Sequence, residues 1–518
     1  MVRSVLCLCL ASALCFVPAV AQTPNEQNAK AQTSAEGKKA EQTAPVPPET
    51  TSVTRHDWTA NGRTIHYTAT AGNLLLRNEK DEPIGSIFYT AYTADGADPA
   101  TRPVTFFYNG GPGSATIWLH MGSFGPVRVL TDSPDPTGPA PNKYVPNEYS
   151  LLDKTDLVFI DAPMTGFSRA VGKGTLKDFA GTDEDIRAFD HFIVRYITVN
   201  KRWNSPKFLF GESYGTTRSA GLVNALANDG VECNGVTLLS SILNYNVRSP
   251  GYDTVFETYL PSYAAIAWYY KKVPQTTSLK DTVQAAREFA RGPYAAALQQ
   301  GDQLPQAEFD EIATKLAAMT GLSVEYVKQT KLRIDSTHFR KQLLRDQGRT
   351  LGRFDARFEG YDVDSAGEYP SSDPSSAGIT GAYVSAFHTY LGNELKYTGS
   401  ELYLLSGPGV NKHWNHKHKV AGQRFGGDQT EPDVAIDLAA AMRQNSKLHV
   451  FSANGWFDLA TPFFGTEYDL SHMMLPEPLL KNVEFGYYPA GHMVYLNVDA
   501  LKQMHADMDR FYDESTRQ

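Results

Sequence analysis

Twenty residues from Lys207 to Leu226, KFLFGESYGTTRSAGLVNAL, constrain the fold of this chain more than any other stretch. An apolar run, Phe208-Leu209-Phe210, meets Gly211-Glu212-Ser213-Tyr214-Gly215, and small, helix-compatible residues follow. The pattern predicts a strand that turns straight into a helix, with a serine at the turn and a glycine on either side. A turn that tight forces flanking side chains into collision. Glycines at 211 and 215 remove the clash, and the serine oxygen is lifted above the edge of a sheet as a nucleophile elbow. The helix N-terminus beneath it offers backbone N–H groups and a dipole that favour developing negative charge.

The rest of the chain supplies the sheet. PVTFFYNGGPGS predicts a buried strand from Val104 to Tyr108 that ends in a glycine-rich loop. DLVFIDAP predicts another, from Leu157 to Ile160, stopped by Pro163. In the helix that follows, Ile186, Phe189, Ile193, Tyr196 and Ile197 share one face, and Thr182 with Asp185 resembles a capping box. GVTLLSSIL, at 235–243, is a further strand. From about Asn246 to Lys419 the alternation breaks into helical and irregular chain. It then resumes with AIDLAAAMRQN as helix, KLHVFSANG and VEFGYYPAGH as strands, and NVDALKQMHADMDRFYDES as a terminal helix. The expected class is α/β, with a mainly parallel central sheet flanked by helices and a large, mostly helical cap insertion. The expected boundaries are 56–245 and 420–518 for the two parts of the core and 246–419 for the cap.

The first residues read as an address. Arg3, the apolar run from Val5 to Phe16, and Ala19-Val20-Ala21 form an export signal over 1–21, which predicts a periplasmic or secreted protein with no span in the mature chain. Cys15 suggests a lipoprotein, but Leu14 precedes it where a small residue is expected. Residues 22–55, rich in Gln, Ala, Thr, Glu, Lys and Pro, predict a flexible linker. Cys7, Cys9 and Cys15 lie in the leader, so Cys233 is the one cysteine left and no internal disulfide can form. Stability must come from packing, for which 518 residues at 42% hydrophobic are ample. A net charge of -9 does not favour a nucleic-acid surface.

A serine hydroxyl needs a base, and the base needs an orienting carboxylate. In this fold they follow in the order Ser, Asp or Glu, His, each on a loop after a strand. VFSANGWFDLATP places Asp458 after one late strand, and YYPAGHMVY places His492 after the next. An oxyanion hole needs two backbone N–H groups. Tyr214, next to the serine, supplies one, and Gly111 in YNGGPGS is the candidate for the other.

Taken together, NGGPGS, FIDAPMTGFS, GESYG, NGWFDLATP and AGHMVY resemble the serine carboxypeptidases, the S10 peptidases of the α/β-hydrolase fold. The resemblance covers about 100–245 and 445–515. It implies a hydrolase that releases single residues from peptides with a free C-terminus, through an acyl-enzyme and without cofactor or metal. Ser213 matches the nucleophile, Asp458 the orienter and His492 the base, with Gly111 and Tyr214 as oxyanion donors. Asn109, Glu212 and the Gly110 N–H match the groups that hold the substrate's terminal carboxylate, and Met493 matches a side chain beside the leaving residue's pocket. A buried glutamate facing a carboxylate must share a proton with it, which explains a glutamate at this place. Two departures stand out. Gly113-Ser114-Ala115 lacks the family's disulfide cysteine, and Gly122-Ser123 stand where many members carry a second glutamate. Arg218, in SYGTTR, is a candidate to compensate.

An esterase or an aminopeptidase would use the same triad, and a silent binding protein could share the scaffold. Weaker signals add little. His413, His416 and His418 sit among lysines and read as a solvated segment rather than a metal site. Asp362, Asp364, Gly367 and Asp373 only loosely echo a calcium loop. Tyrosines and Trp268 in TYLPSYAAIAWYY read as core of the cap. Oligomeric state is not legible.

Overall fold

Phe106 and Phe107 show how this sequence makes its sheet. Successive side chains in a strand point to opposite faces. Phe107 stacks between Phe159 and Phe210, at 4.8 and 4.9 Å, while Phe106 meets Tyr196 on the other side at 5.6 Å. The computed structural model describes residues 43–249, 251–399, 401–424 and 426–517. Among them the strands are β1 (Thr51–Ala60), β2 (Arg63–Arg77), β3 (Pro83–Ala94), β4 (Val104–Tyr108), β5 (Val127–Val129), β6 (Tyr144–Pro146) and β7 (Asp156–Ile160). They continue with β8 (Arg169–Ala170), β9 (Lys207–Glu212), β10 (Gly235–Leu239), β11 (Arg349–Leu351), β12 (Glu359–Tyr361), β13 (His449–Gly455) and β14 (Val483–Tyr488).

One sheet has the order β1-β2-β3-β7-β4-β9-β10-β13-β14, with β8 on β3. From β7 to β14 every pairing is parallel. The first three strands add antiparallel. Strands β4, β7, β9 and β10 are buried at every position, as a parallel sheet covered on both faces requires. One face packs on the terminal helix Val498–Ser515 through Met504, Met508 and Phe511. The other packs on the helices Thr182–Val199, Tyr214–Asn228 and Ala435–Gln444 through residues such as Ile193, Val223 and Leu438.

The chain between β10 and β13 is largely helical. Helices Thr254–Tyr269, Leu279–Phe289 and Gln306–Thr320 bury Tyr263, Val283 and Leu316 in a third core. Phe457, Leu459 and Phe463, which follow β13, belong to that same core. The inserted helices therefore grip the loop that carries Asp458. A further helix, Pro374–Asn393, packs on the first core, where Tyr383 meets Trp118 at 5.2 Å.

Two expectations change, and a third is not tested. The export signal at 1–21, and the linker as far as Gln42, lie outside the described residues. The linker's expected end at 55 is too late, because β1 begins at Thr51 and pairs with β2 along its length. Its outer face is exposed, so TSVTRHD carries too few apolar residues to announce a strand. Thr182 is the first residue of its helix rather than the cap; Gly181 holds that place, and Asp185 turns elsewhere. Cys233 is buried in the second core and has no disulfide partner among the described residues. No helix among the described residues is long and apolar enough to cross a membrane.

The approach of β9 to the helix after it tolerates no side chain at 211, where an added Cβ meets the backbone of Gly215 well inside 3.0 Å. Gly211→Ala is expected to cost about 1–3 kcal/mol, as overpacking of a close-packed interior does. Urea unfolding of the two proteins reads it.

Candidate active site

Ser213 leaves β9 with φ 61° and ψ -131°, in the left-handed region that side chains avoid. Its N–H donates to Leu239 O at 3.0 Å, which ties the turn to β10. An added Cβ at Gly215 would stand 2.8 Å from Tyr108 O, so the helix rests on the end of β4. One at Gly110 would stand 2.5 Å from the Gly215 N and as near to that of Tyr214. The loop after β4 thus lies across the first turn of the helix, with Gly111 at φ 108° beside it.

Asp458 and His492 come from the ends of β13 and β14. His492 Nδ1 stands 2.7 Å from Asp458 Oδ2, and both side chains are buried. Asp458 also accepts from the N–H groups of Ala460 and Thr461, at 2.7 and 3.0 Å, and from the Thr461 hydroxyl at 2.8 Å. Donors on both oxygens fix the plane of this carboxyl behind the imidazole. Burial opposes a charge on His492, but Asp458 outweighs it and leaves the imidazole pKa raised. The imidazole is held by its backbone as well. His492 N–H donates to Phe354 O at 2.6 Å, and Ser240 Oγ donates to His492 O at 2.6 Å. Nε2, the other ring nitrogen, is buried and has no hydrogen-bond partner.

A cavity of about 380 Å³ opens above the elbow, and Asn109, Gly110, Gly111, Glu212, Ser213, His492 and Met493 line it. Asp458 sits behind His492, and the Tyr214 ring is buried against Trp414 at 5.1 Å. The insertion closes the cavity with Arg353, Phe354, Ile379, Thr380, Leu405 and Asn411. Asn109 Nδ2 donates to Glu212 Oε1 at 2.8 Å, while Asn109 Oδ1 accepts from Leu119 N at 3.0 Å. That fixes the orientation of the amide, whose nitrogen also lies within reach of the Tyr495 hydroxyl. Glu212 is 3% exposed, and its Oε2 has no hydrogen-bond partner. Burial pushes its pKa up to about 7, against the pull of His492, Tyr495 and Asn109.

Arg218 does not reach the cavity. Its side chain is wholly buried and forked onto Asp185, with Nε to Oδ2 at 2.7 Å and Nη2 to Oδ1 at 3.0 Å. Its third arm donates to Asn109 O at 2.8 Å, and Phe189 lies 4.0 Å beneath the guanidinium. Asp185 therefore serves Arg218 instead of a helix cap, and Arg218 fixes the backbone of Asn109. No signal in SYGTTR or in TDED announces this pair, because the contact joins two helices. Thr461 and Ser240 were more accessible: both follow strand ends beside residues already singled out. His418 is also corrected. It is buried between Asp183 and Asp437, at 2.6 and 2.9 Å. Burial lowers its pKa, but the two carboxylates outweigh that and lift it to about 9. Asp362 pairs with Lys341 at 3.0 Å, and Asp373 caps the helix at Pro374.

A mostly parallel sheet with helices on both faces and a strand–serine–helix elbow at its edge defines an α/β-hydrolase. A family model described as serine carboxypeptidase matches residues 64–482, and the chain belongs to that family. Pheromone-processing carboxypeptidase KEX1 of Saccharomyces cerevisiae is 32% identical over 170 residues, 30% of this chain and 22% of that one. Serine carboxypeptidase-like 33 of Arabidopsis thaliana is 25% identical over 139 residues, 26% of this chain and 27% of that one. The matched stretch spans about a quarter of those relatives' length. The crystal structure of KEX1, a prohormone-processing carboxypeptidase from Saccharomyces cerevisiae, shares the fold at a TM-score of 0.52 and 17% identity. It covers 86% of this chain and 92% of that one.

Removing the guanidinium would strand a buried carboxylate. Arg218→Met is expected to destabilise by about 3–5 kcal/mol, and adding Asp185→Leu to restore most of the loss. Denaturant unfolding of the single and double variants tests it.

Proposed function

We propose that this chain is a serine carboxypeptidase that removes residues from the free C-terminus of peptides through an acyl-enzyme. The observation that carries the reading is one cavity that holds both Ser213 with His492 and, beside them, a buried glutamate whose pKa stands near 7. The first set suits acyl transfer. The second suits a substrate that ends in a carboxylate, because a protonated Glu212 donates a hydrogen bond to it and Asn109 donates another.

Ser213 Oγ attacks the last peptide carbonyl and passes its proton to His492 Nε2. Asp458 holds the imidazole in the tautomer that can accept it and stabilises the imidazolium. The Gly111 and Tyr214 N–H groups take the charge on the oxyanion. The C–N bond then breaks as His492 returns the proton to the leaving amine, whose own carboxylate rests on Asn109, the Gly110 N–H and Glu212, with Met493 beside its side chain. Water repeats the sequence on the ester: it gives a proton to His492 and frees Ser213. No step calls for a metal or cofactor. Export is part of the proposal and rests on the leader-like residues 1–21.

A free-acid peptide and its C-terminal amide, incubated side by side and read by mass spectrometry, test the assignment. Loss of single C-terminal residues from the acid alone is expected. Equal turnover of both would favour the esterase or aminopeptidase chemistry of the same triad. Ser213→Ala should abolish turnover and labelling by an organophosphate. Asp458→Asn should lower kcat by about 10⁴, the scale seen when a triad carboxylate is neutralised.

The pH profile has a definite sign. Activity requires His492 neutral and Glu212 protonated. On free-acid peptides kcat/KM should follow a bell, with an acid limb where the pair gives up its first proton and an alkaline limb at or above about 7 where it gives up its second, because the active form keeps one proton, on Glu212. The two groups interact through space, so the limbs belong to the pair. A substrate without a terminal carboxylate should keep the acid limb and lose the alkaline one.

A further inference from the structure

One edge of Glu212 has no hydrogen-bond partner among the described residues. Oε1 accepts from Asn109, while Oε2 is buried with no hydrogen-bond partner. The Tyr495 hydroxyl, on a residue 3% exposed, is likewise buried and unpartnered. The two groups face one another within interaction range. Such orphans are costly when isolated. A donor and an acceptor side by side relieve each other.

The ring is held there by what Gly122 lacks. An added Cβ at Gly122 would stand 2.5 Å from the Tyr495 ring and closer still to the Tyr383 hydroxyl. Two tyrosines from distant segments thus fill the space over bare backbone: Tyr383 on the inserted helix Pro374–Asn393 and Tyr495 just after His492. Tyr383 is 1% exposed and also lies in the electrostatic reach of Glu212. The other groups that act on the carboxyl are Asn109 from the loop after β4, His492, and Asp458 behind it.

We propose that Tyr495 is a positioning residue for Glu212. Its hydroxyl donates to the Oε2 edge, and Gly122 and Tyr383 seat the ring. With Asn109 on one oxygen and Tyr495 on the other, the carboxyl plane is fixed and a proton on it points into the cavity. A neutral donor of this kind favours the ionised carboxyl. Tyr495 therefore sets the pH at which the grip on a substrate terminus is released. This rests on the reading of Glu212 given above.

Tyr495→Phe removes only the hydroxyl. Profiles of kcat/KM against pH are compared for a free-acid peptide and a matched peptide ester, in wild type and variant. The alkaline limb on the free acid is expected to move up by about 0.5–1 pH unit, the equivalent of one net hydrogen bond. The ester profile should not move. Limb position does not depend on the fraction of protein folded, so partial loss of stability does not mask the result. Should Y495F yield no folded protein, Gly122→Ala, which pushes the ring away, is read for the same upward shift. A wild-type limb on the free acid that stays unmoved in the variant overturns the positioning role alone. A wild type with identical limbs on acid and ester overturns the reading of Glu212, and this proposal with it.

Discussion

Everything above the sheet depends on backbone meeting backbone at the end of β9. Three segments converge there: the strand end at Gly211, the first helical turn at Tyr214 and Gly215, and the loop at Asn109 and Gly110. No Cβ fits between them. That absence lets Ser213 adopt a left-handed backbone and stand clear of the sheet. A strained residue of this kind persists only where its surroundings over-determine it. Here the bond to Leu239 O on β10, and the buried strands on either side, supply that constraint.

The site then treats two carboxyls in opposite ways. Asp458 accepts from two backbone amides, a hydroxyl and an imidazole. Glu212 is as deeply buried but meets only the Asn109 amide and the Tyr495 hydroxyl, and burial lifts its pKa to about 7. Environment alone separates a carboxyl fixed as an orienter from one that can hold a proton near neutrality. His492 lies in the field of both. The buried pair Arg218–Asp185 works one layer down, where it fixes the Asn109 carbonyl and so the side chain that meets Glu212.

The inserted chain is part of this machinery. Phe354 O accepts from the His492 N–H, and Leu459 N–H donates to Arg353 O, so the segment before β12 is laced to the loops after β13 and β14. Such bonds were invisible in GYDVDSAGEYPSSDP and its neighbours, which carry no period of their own. The same holds for His418. Its flanking lysines suggested a solvated strand of chain, yet two carboxylates from different helices bury it.

The sequence by itself determined what is local or ordered along the chain. Gly-x-Ser-x-Gly between an apolar run and a helix specifies the elbow, because the two glycines that make room are its immediate neighbours. Alternating strands and helices place Asp458 and His492 at one sheet edge, because parallel strands all end on the same side. The cap of the helix at 182 was misread for want of that neighbourhood: Asp185 had the right spacing, but Arg218 competes for it from another helix. Only the tertiary structure decided which polar groups meet. Partners 33 residues apart for Arg218 and Asp185, or 103 for Asn109 and Glu212, come together through packing. A carboxyl's proton affinity depends on the water it has lost and the donors it has gained. Both are set by segments that the linear chain keeps far apart.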